Sequence, residues 1–323
     1  MVWRGVVLGT VMALGLARPA AAVMAYVSNE KGNTVSVIDT DTWQVVKTIK
    51  VGQRPRGIAF TKDDKFVLVA VGDDDTIQMI DAKSQEVVGE LPSGPDPELF
   101  TEDPDGKLLY VANENDNTVT IIDIDKRTQL GAVQVGVEPE GMVVSPDGKI
   151  LVNTSETTNM AHFIDLASRK IVANVLVDSR PRFGAFKPDG SELWVSSEIG
   201  GTVSVIDPVR HVVKQKIAFA IPGLRAEAIQ PVGINISSDG KKAFVALGPA
   251  NRVAVVDGVT HDVIKYLLVG QRVWHMAFTP DEKYLVTTNG VSNDVSIIDV
   301  ASLKVVKSLQ VGELPWGVTI ARH

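Results

Sequence analysis

Val37-Ile38-Asp39 is one of seven related tripeptides along this chain of 323 residues. The other six copies are Met79-Ile80-Asp81, Ile121-Ile122-Asp123, Phe163-Ile164-Asp165, Val205-Ile206-Asp207, Val255-Val256-Asp257 and Ile297-Ile298-Asp299. Successive aspartates are 42 residues apart, except for the 50 residues between Asp207 and Asp257. A fixed period of this length is typical of a repeat architecture. The longer spacing predicts an insertion in one unit.

Each repeat has the pattern of four short strands joined by turns. Val or Ile alternates with Lys or Thr over Val45–Val51, which is typical of half-buried β-structure. In one stretch the predicted strands are Thr34–Asp39, Val45–Val51, Gly57–Phe60 and Phe66–Val71. No segment has a sustained period of 3.6 residues with helix caps, so we expect almost no helix. Seven such units predict an all-β, seven-bladed β-propeller with four antiparallel strands per blade, whereas an open β-solenoid would need shorter coils.

The two ends of the repeat array predict how the ring closes. Ala25–Asn29 aligns with Leu109–Asn113, the second strand of a blade. Pro315–Ile320 aligns with Pro55–Phe60, the first strand of a blade. One blade is therefore expected to take its innermost strand from the C-terminal end and three strands from the N-terminal end. This 3+1 closure would hide terminal strand edges, which otherwise invite aggregation.

The first 22 residues have the features of a secretory signal peptide. A positive charge precedes an apolar run over Gly5–Ala17, and Ala20-Ala21-Ala22 provides the small residues of a cleavage site. The run is too short to span a bilayer as a stable helix; an uncleaved anchor is the alternative. We expect residues 1–22 to be a signal peptide, residues 23–323 to form the propeller, and the mature protein to reside in the periplasm without membrane insertion.

Charge and cysteine content exclude several classes of function. The net charge is −7, and removing the two arginines of the signal peptide brings it to about −9. An acidic protein is a poor partner for nucleic acid or an anionic membrane. Because the chain has no cysteine, disulfides, thiolate zinc sites and covalently attached haem are excluded. The length and apolar content suffice for a core, and we expect a monomer.

The residues around the predicted channel mouth differ from blade to blade, although the scaffold residues repeat. The position after the loop proline, or its equivalent, is occupied in ring order by Arg56, Glu98, Glu140, Arg182, Val232, Trp274 and Trp316. His275 follows the first of the two tryptophans. These residues predict a bipolar mouth with an aromatic wall, which would be a ligand or partner face. The alternative is a structural set of ion pairs, Arg56–Glu98 and Glu140–Arg182, which contribute little where they are exposed.

Two further features lie on the same predicted face. Acidic residues occupy five of the second-to-third strand loops; they are Glu30, Asp73–Asp75, Glu114, Glu156 and Glu198. They are interpreted as solvated loop charge, as a docking surface for a basic cytochrome, or as a weak Ca²⁺ site. The insertion, Ala220–Ile229, carries Arg225, which could extend over the channel mouth. A decorative loop is the alternative.

Two residues break the pattern within strands. Glu102 stands where other blades place an apolar residue such as Phe60, so its carboxylate needs a partner or a raised pKa unless the strand end is open to solvent. His162 replaces a serine or threonine on a third strand. We expect it to be a hydrogen-bonded residue between blades rather than a ligand.

No catalytic motif is present in the sequence. The five histidines lack metal-ligand spacing, and there is neither a nucleophile elbow nor a phosphate loop. They are His162, His211, His261, His275 and His323. We predict no catalytic residue, no tightly bound metal and no cofactor. An enzyme built from the ring loops would instead need three or more carboxylate, amide or imidazole groups that converge on the channel.

The repeat resembles a known family. Tyr26-Val27-Ser28-Asn29 and Tyr110-Val111-Ala112-Asn113 resemble the motif that names the YVTN β-propeller repeats, and Asn33–Asp39 and Val51-Gly52 extend the likeness. This resemblance implies the fold but no particular activity. More narrowly, the chain is similar to periplasmic propellers associated with PQQ-dependent alcohol catabolism. That likeness implies a periplasmic protein partner, either a quinoprotein dehydrogenase or a cytochrome c.

Three functions are consistent with these observations. The resemblance favours a noncatalytic accessory protein that docks a partner through the loop face and is linked to quinoprotein alcohol oxidation. The first alternative is a ring-loop enzyme of the lactonase or lyase type. The second is a protein that binds PQQ or a similar planar ligand, with Trp274 and Trp316 stacking on it and Arg56 and Arg182 holding its carboxylates. The two glutamates at the mouth would repel such an anion, so protein docking ranks first.

Overall fold

A computed structural model describes Met1 and residues 23–322 of the chain, and residues 23–322 form seven four-stranded antiparallel sheets, numbered here as blades 1 to 7 in ring order. Blade 1 contains β1 (Met24–Asn29), β2 (Thr34–Asp39) and β3 (Gln44–Lys50). Blade 2 contains β4 (Pro55–Phe60), β5 (Phe66–Val71), β6 (Thr76–Asp81) and β7 (Glu86–Pro92). Blade 3 contains β8 (Pro97–Glu102), β9 (Leu108–Asn113), β10 (Thr118–Asp123) and β11 (Thr128–Gln134).

The other four blades have the same internal order. Blade 4 contains β12 (Pro139–Val144), β13 (Ile150–Ser155), β14 (Met160–Asp165) and β15 (Lys170–Leu176). Blade 5 contains β16 (Pro181–Phe186), β17 (Leu193–Ser197), β18 (Thr202–Asp207) and β19 (Val212–Ala218). Blade 6 contains β20 (Ile234–Ile236), β21 (Lys242–Ala246), β22 (Arg252–Asp257) and β23 (Val263–Leu268). Blade 7 contains β24 (Val273–Phe278), β25 (Tyr284–Asn289), β26 (Asp294–Asp299) and β27 (Lys304–Gln310).

The last strand of the chain closes the ring. β28 (Pro315–Ile320) pairs antiparallel with β1, with Ala25 opposite Ile320 and Val27 opposite Val318. Blade 1 therefore has the strand order β28-β1-β2-β3. The seven blades and the 3+1 closure that the sequence predicted are confirmed. The inner strand predicted at Gly57–Phe60 begins two residues earlier, at Pro55.

Helical structure in the described residues is limited to three single 3₁₀ turns, at Gly72–Asp74, Glu114–Asp116 and Ala226–Ala228. The last of these turns lies in the predicted insertion, which forms a long loop between β19 and β20. Within residues 23–322 no helix has the length and apolar character that crossing a membrane requires. The predicted signal peptide includes residues 2–22, which lie outside the described residues.

The core of the ring lies between neighbouring blades. Leu68, Ile77 and Leu91 of blade 2 pack in one cluster with Phe100 and Leu109 of blade 3, and comparable clusters join the other blades. Each blade thus buries one face of its sheet against the next blade. The stability of any one blade depends on its neighbours because no single sheet can remove its apolar residues from water alone.

The aspartate of the repeated tripeptide closes a turn. Asp39 Oδ1 accepts hydrogen bonds of 2.9 Å from the backbone N–H groups of both Asp41 and Thr42. The remaining six aspartates likewise accept backbone hydrogen bonds in the turn that follows them. An aspartate side chain suits this position because it substitutes for a backbone acceptor in a tight turn. The aspartate therefore recurs in every repeat because it stabilises the turn that follows it.

A second repeated contact fixes the loops that surround the channel. Asn33 adopts a left-handed conformation, with φ of 50°, and its Oδ1 accepts a hydrogen bond from the backbone N–H of Arg54. Asparagine tolerates this conformation better than most residues. The same contact, made by an aspartate in one blade, recurs in five further blades; the acceptors are Asp75, Asn117, Asn159, Asn251 and Asn293. It holds six of the seven outer-to-inner strand loops against the second-to-third strand loop of the preceding blade.

The closure generates a prediction about stability. Deleting residues 316–323 removes most of β28 and exposes the edge of β1, so we expect the melting temperature to fall by more than about 10 °C or cooperative folding to be lost. Deleting only residues 322–323 leaves the strand intact and serves as the control. Thermal unfolding followed by circular dichroism checks both, and equal melting temperatures for the two truncations would contradict this closure.

Candidate functional site

The inner strands bring the predicted mouth residues to the axis of the ring. Strand pairing skips between Pro55, which faces Val71, and Ile58, which faces Val69, and equivalent bulges occur in five other inner strands. Glycine follows the mouth residue in several blades. A Cβ on Gly57 would lie 2.2 Å from the carbonyl oxygen of Glu98 in the next blade, so only glycine permits this approach of the strands. Bulge and glycine together place the mouth side chains in contact around the axis.

The first ion-pair group centres on Glu98, which is completely buried. Its Oε1 accepts hydrogen bonds from Arg56 Nη1 at 2.8 Å and from Arg54 Nη1 at 2.9 Å. Arg56 also contacts the carboxylate of Glu30 at 3.1 Å. Burial raises the pKa of Glu98, but the charges of the two arginines outweigh it and hold the pKa below its usual range. Glu98 is therefore a paired, ionised carboxylate.

The second group centres on Arg182, of which only 4% is exposed. Its guanidinium contacts Glu140 at 3.2 Å, also pairs with Glu156, and lies 3.7 Å from Glu198. Arg272 contacts the same Glu198 at 2.6 Å. Burial raises the pKa of Glu140 well above its usual range, and the attraction of Arg182 does not offset it. This group joins blades 4, 5 and 7 across the ring.

An aromatic wall stands beside both groups. The Trp274 and Trp316 rings are 6.5 Å apart between centroids, and the His275 ring is 4.2 Å from that of Trp316. Arg56 lies over Trp316 at 5.7 Å and Arg182 over Trp274 at the same distance, a cation–π arrangement. Burial, together with repulsion from Arg182 and Arg56, lowers the pKa of His275 to about 3, so the imidazole is neutral at ordinary pH.

Seven of the eight predicted face residues converge at the axis. They are Arg56, Glu98, Glu140, Arg182, Trp274, His275 and Trp316. Arg225 does not join them. It is exposed in the insertion, and its side chain makes no hydrogen bond or salt bridge to the described residues.

Two expectations about solvation were wrong. The pairs Arg56–Glu98 and Glu140–Arg182 both form, but Glu98, Glu140 and Arg182 are buried and Arg56 is mostly buried, so the pairs are not exposed on the rim. Glu30, Glu156 and Glu198 are not solvated loop charge, because each contacts an arginine of an inner strand or of the loop before it. The sequence identified these residues but not how deeply they are buried, because their burial depends on how closely the seven inner strands approach one another.

Three carboxylates in this region are arranged as a metal ion would require, but an arginine side chain lies between two of them. The carboxylates of Asp96, Glu98 and Glu114 offer ligand atoms within 4.8 Å of one another. However, the guanidinium of Arg54 contacts both Asp96 and Glu98. Burial, together with the charge of Glu98, raises the pKa of Glu114 to about 7. The donor set therefore fits a metal ion poorly, because the guanidinium of Arg54 already contacts two of its three members.

The two pattern-breaking strand residues have the environments that the sequence indicated. Glu102 Oε2 accepts a hydrogen bond of 2.8 Å from the backbone N–H of Lys62, and burial raises the pKa of Glu102 to about 7. His162 Nδ1 lies 2.6 Å from Asn174 Oδ1, and its Nε2 accepts from the backbone N–H of Gly136. His162 is therefore a hydrogen-bonded structural residue.

The apolar lining below the mouth was not singled out from the sequence. Phe183, Met142, Met276 and Ile58 line a cavity in the channel together with His275. The signal was present, because these residues are the third or fourth of each inner strand. This signal did not distinguish the channel lining, because apolar residues occur in every strand of the repeat.

Fold and site together define a β-propeller with a buried ionic and aromatic channel mouth. Residues 7–137 match the family described as YNCE-like beta-propeller, a match that covers less than half of the chain and supports a propeller of the YVTN type. No curated protein shows significant similarity to the chain.

Solved structures with the same fold differ in what they do. Hydrazine synthase of Kuenenia stuttgartiensis is 21% identical, with a TM-score of 0.78, over 91% of this chain and 99% of the other. The dihydro-heme d1 dehydrogenase NirN is 16% identical, with a TM-score of 0.71, over 95% of this chain and 77% of the other. A candidate 6-phosphogluconolactonase from Bacteroides uniformis is 17% identical, with a TM-score of 0.78, over 94% and 100%. At these identities the similarity shows the fold alone.

The burial of the second ion-pair group predicts a large effect of removing its cation. We expect Arg182→Met to destabilise the protein by about 3–5 kcal/mol, because it removes the only arginine that contacts the buried Glu140 and one of the two that contact the buried Glu156. Lys149→Met is the control, since its ammonium lies 3.3 Å from Asp147 on the exposed surface and should contribute less than about 1 kcal/mol. Urea unfolding measures both. Similar effects of the two substitutions would show that the Arg182 group is not buried in solution.

Glu102 predicts a specific dependence of stability on pH. The folded state raises its pKa from 4.5 to about 7. Glu102 therefore favours folding most below pH 4.5, and this contribution is lost as the pH rises to about 7 and changes no further above it. Glu102→Gln should be more stable than the parent protein at pH 8 by about 1–2 kcal/mol, allowing for partial solvent screening.

Urea unfolding at pH 4 and pH 8 tests this assignment. The exposed Glu86→Gln on β7 is the control and should show no comparable change between the two pH values. If Glu102→Gln changes the free energy of unfolding by the same amount at pH 4 and at pH 8, the raised pKa of Glu102 would be contradicted.

Proposed function

We propose that the protein is a noncatalytic docking module that binds a basic protein partner through its loop face. The loop face is defined here as the second-to-third strand loops together with the outer-to-inner strand loops. These loops contain 13 acidic and five basic residues, whereas the rest of residues 23–322 contains 26 acidic and 25 basic residues. Nearly all of the net charge of the ring is therefore on one face, and this asymmetry is the observation that carries the proposal.

Among the solvent-exposed side chains of this face, the excess of acidic over basic residues is larger still. Buried carboxylates are paired with arginines, as described above, so they contribute little to the external field. Six acidic side chains of the loop face are exposed, against Lys31 and Arg225 among the basic ones; the six are Asp73, Asp74, Asp75, Asp116, Glu227 and Glu313. A field of one sign accelerates the encounter with a partner of the opposite sign and disfavours partners of the same sign.

Exposed apolar side chains on the same face provide surface for a complex to bury. Val137, Ile199, Leu224 and Val291 lie in loops of this face and are between 39% and 63% exposed. They belong to blades 4 to 7, or to the loops that lead into them, whereas the three successive aspartates belong to blade 2. Apolar contacts within a polar, charged surround are the usual composition of a transient interface.

The particular partner that we propose is a basic cytochrome c in the periplasm, in a system that oxidises alcohols with a quinoprotein. This part of the proposal is supported by the resemblance of the repeat and by the sign of the charge. The similar solved structures have different activities, so the fold does not choose among functions. A lactonase-type or lyase-type activity is less well supported, because Glu98, Glu140 and Glu156 each contact an arginine, which leaves Glu114 alone where such an enzyme needs three or more converging groups.

Binding kinetics test the docking function. We expect the cytochrome to associate with the propeller at a rate that falls about tenfold between roughly 20 and 200 mM salt. The triple variant Asp116→Asn, Glu227→Gln, Glu313→Gln should lower the association rate several-fold at low salt, with a smaller effect at high salt. Surface plasmon resonance measures these rates.

A matched variant isolates the face from the net charge. Asp105→Asn, Asp125→Asn, Asp262→Asn removes the same three charges from exposed turns of the opposite face and should leave the association rate nearly unchanged. Equal effects of the two triple variants would refute docking through the loop face. Absence of binding to the cytochrome, with binding to the dehydrogenase, would replace the proposed partner but retain the face.

A further inference from the structure

The channel holds a cavity below the ion-pair groups. Its volume is about 160 Å³, and its lining comes from the inner strands of six blades. Most of the residues that line it are apolar, including Ile58, Phe100, Met142, Phe183 and Met276, although polar atoms provide nearly half of the lining surface. An apolar cavity of about 150 Å³ is large enough to bind benzene. The cavity therefore has the size of a single six-membered ring, and it is separate from the exposed surface proposed for docking.

Two polar groups in the wall of this cavity lack partners. Trp316 is 1% exposed and His275 is 6% exposed. The indole Nε1 of Trp316 and the imidazole Nε2 of His275 form no hydrogen bond with any described residue. Buried polar atoms are seldom left without a partner, so a group inside the cavity is expected to hydrogen-bond to these two. Their two rings lie 4.2 Å apart, so both groups belong to one part of the wall.

The chemistry of these two groups restricts the ligand. An indole N–H only donates, whereas Nε2 of a neutral imidazole donates or accepts according to its tautomer. A hydroxyl group accepts from the indole and can then donate to the imidazole or accept from it. A carboxylate would bring a charge into an apolar cavity, and an ammonium group has no acceptor for the indole. The apolar walls, in turn, favour a ring over a flexible polar chain.

We propose that the channel cavity is a binding site for a neutral single-ring phenol, with its hydroxyl group recognised by Trp316 and His275. The ring of the ligand occupies the space among Phe183, Met142 and Met276. PQQ does not fit the same space, since it has three fused rings and three carboxylates. The proposal is independent of the docking function, because none of the residues that define the site belongs to the exposed loop charge.

Fluorine NMR with 4-fluorophenol and fluorobenzene as probes tests the site. We expect 4-fluorophenol to bind to the full protein and fluorobenzene, which lacks the hydroxyl group, to bind about 3- to 10-fold more weakly. Trp316→Phe retains a flat ring but removes the donor, so it should weaken binding of 4-fluorophenol by a similar factor and leave fluorobenzene unchanged. Trp194→Phe, which changes a buried tryptophan outside the cavity, is the matched control.

Filling the cavity gives a second, independent readout. Met142→Trp should abolish binding of both probes. If that variant does not fold, Ile58→Phe, a smaller increase in volume, should weaken binding of both probes. Absence of 4-fluorophenol binding up to about 10 mM would overturn the proposal and indicate a cavity filled by water. Equal affinities for the two probes, or no effect of Trp316→Phe, would overturn recognition of the hydroxyl group.

Discussion

The close approach of the inner strands at the ring axis is the constraint on which the rest of the structure depends. A side chain at the mouth of one blade is surrounded by those of other blades, as the contacts of Arg182 with groups of blades 4, 5 and 7 illustrate. Glycine at the following position allows this approach, since a Cβ on Gly141 would lie 2.9 Å from the carbonyl oxygen of Arg182. A charge placed there needs a counter-ion among the surrounding side chains, most of which belong to other blades, because little water reaches it.

This constraint explains the order of charges around the ring. Two acidic blades lie between two basic ones, so each carboxylate of the mouth has a guanidinium on an adjacent blade. The network does not balance completely, since the pKa of Glu140 is raised while that of Glu98 is lowered. Arginine suits this place because its charge persists at every ordinary pH and its planar fork reaches several carboxylates. The tryptophans on the other side offer the guanidinium groups flat faces instead of further charge.

The fold could be predicted from the repeat, but the burial of the mouth side chains could not. The aspartate of the tripeptide and the asparagine of the second-to-third strand loop act through contacts within a few residues or with one adjacent loop. Because these contacts are local, the same residues recur at the same position of each repeat. The number of blades and the ring closure follow from counting and aligning the repeats. Burial at the axis depends on seven strands that are distant in sequence. Glu156 and Glu198 therefore had the pattern of solvated loop residues, although they are 3% and 5% exposed.

The contrast between repeated and unrepeated positions separates scaffold from site. Positions that recur in every blade hold turns and pack blades together, and they would serve any propeller equally well. The mouth residues and the exposed loop charges differ between blades, so selection for the scaffold alone does not account for them. The two unrepeated sets also differ from each other in physical character: one is buried and internally paired, and the other is exposed and predominantly acidic. A buried, paired set is suited to holding a shape and lining a cavity, whereas an exposed and predominantly acidic set acts at a distance on a charged partner.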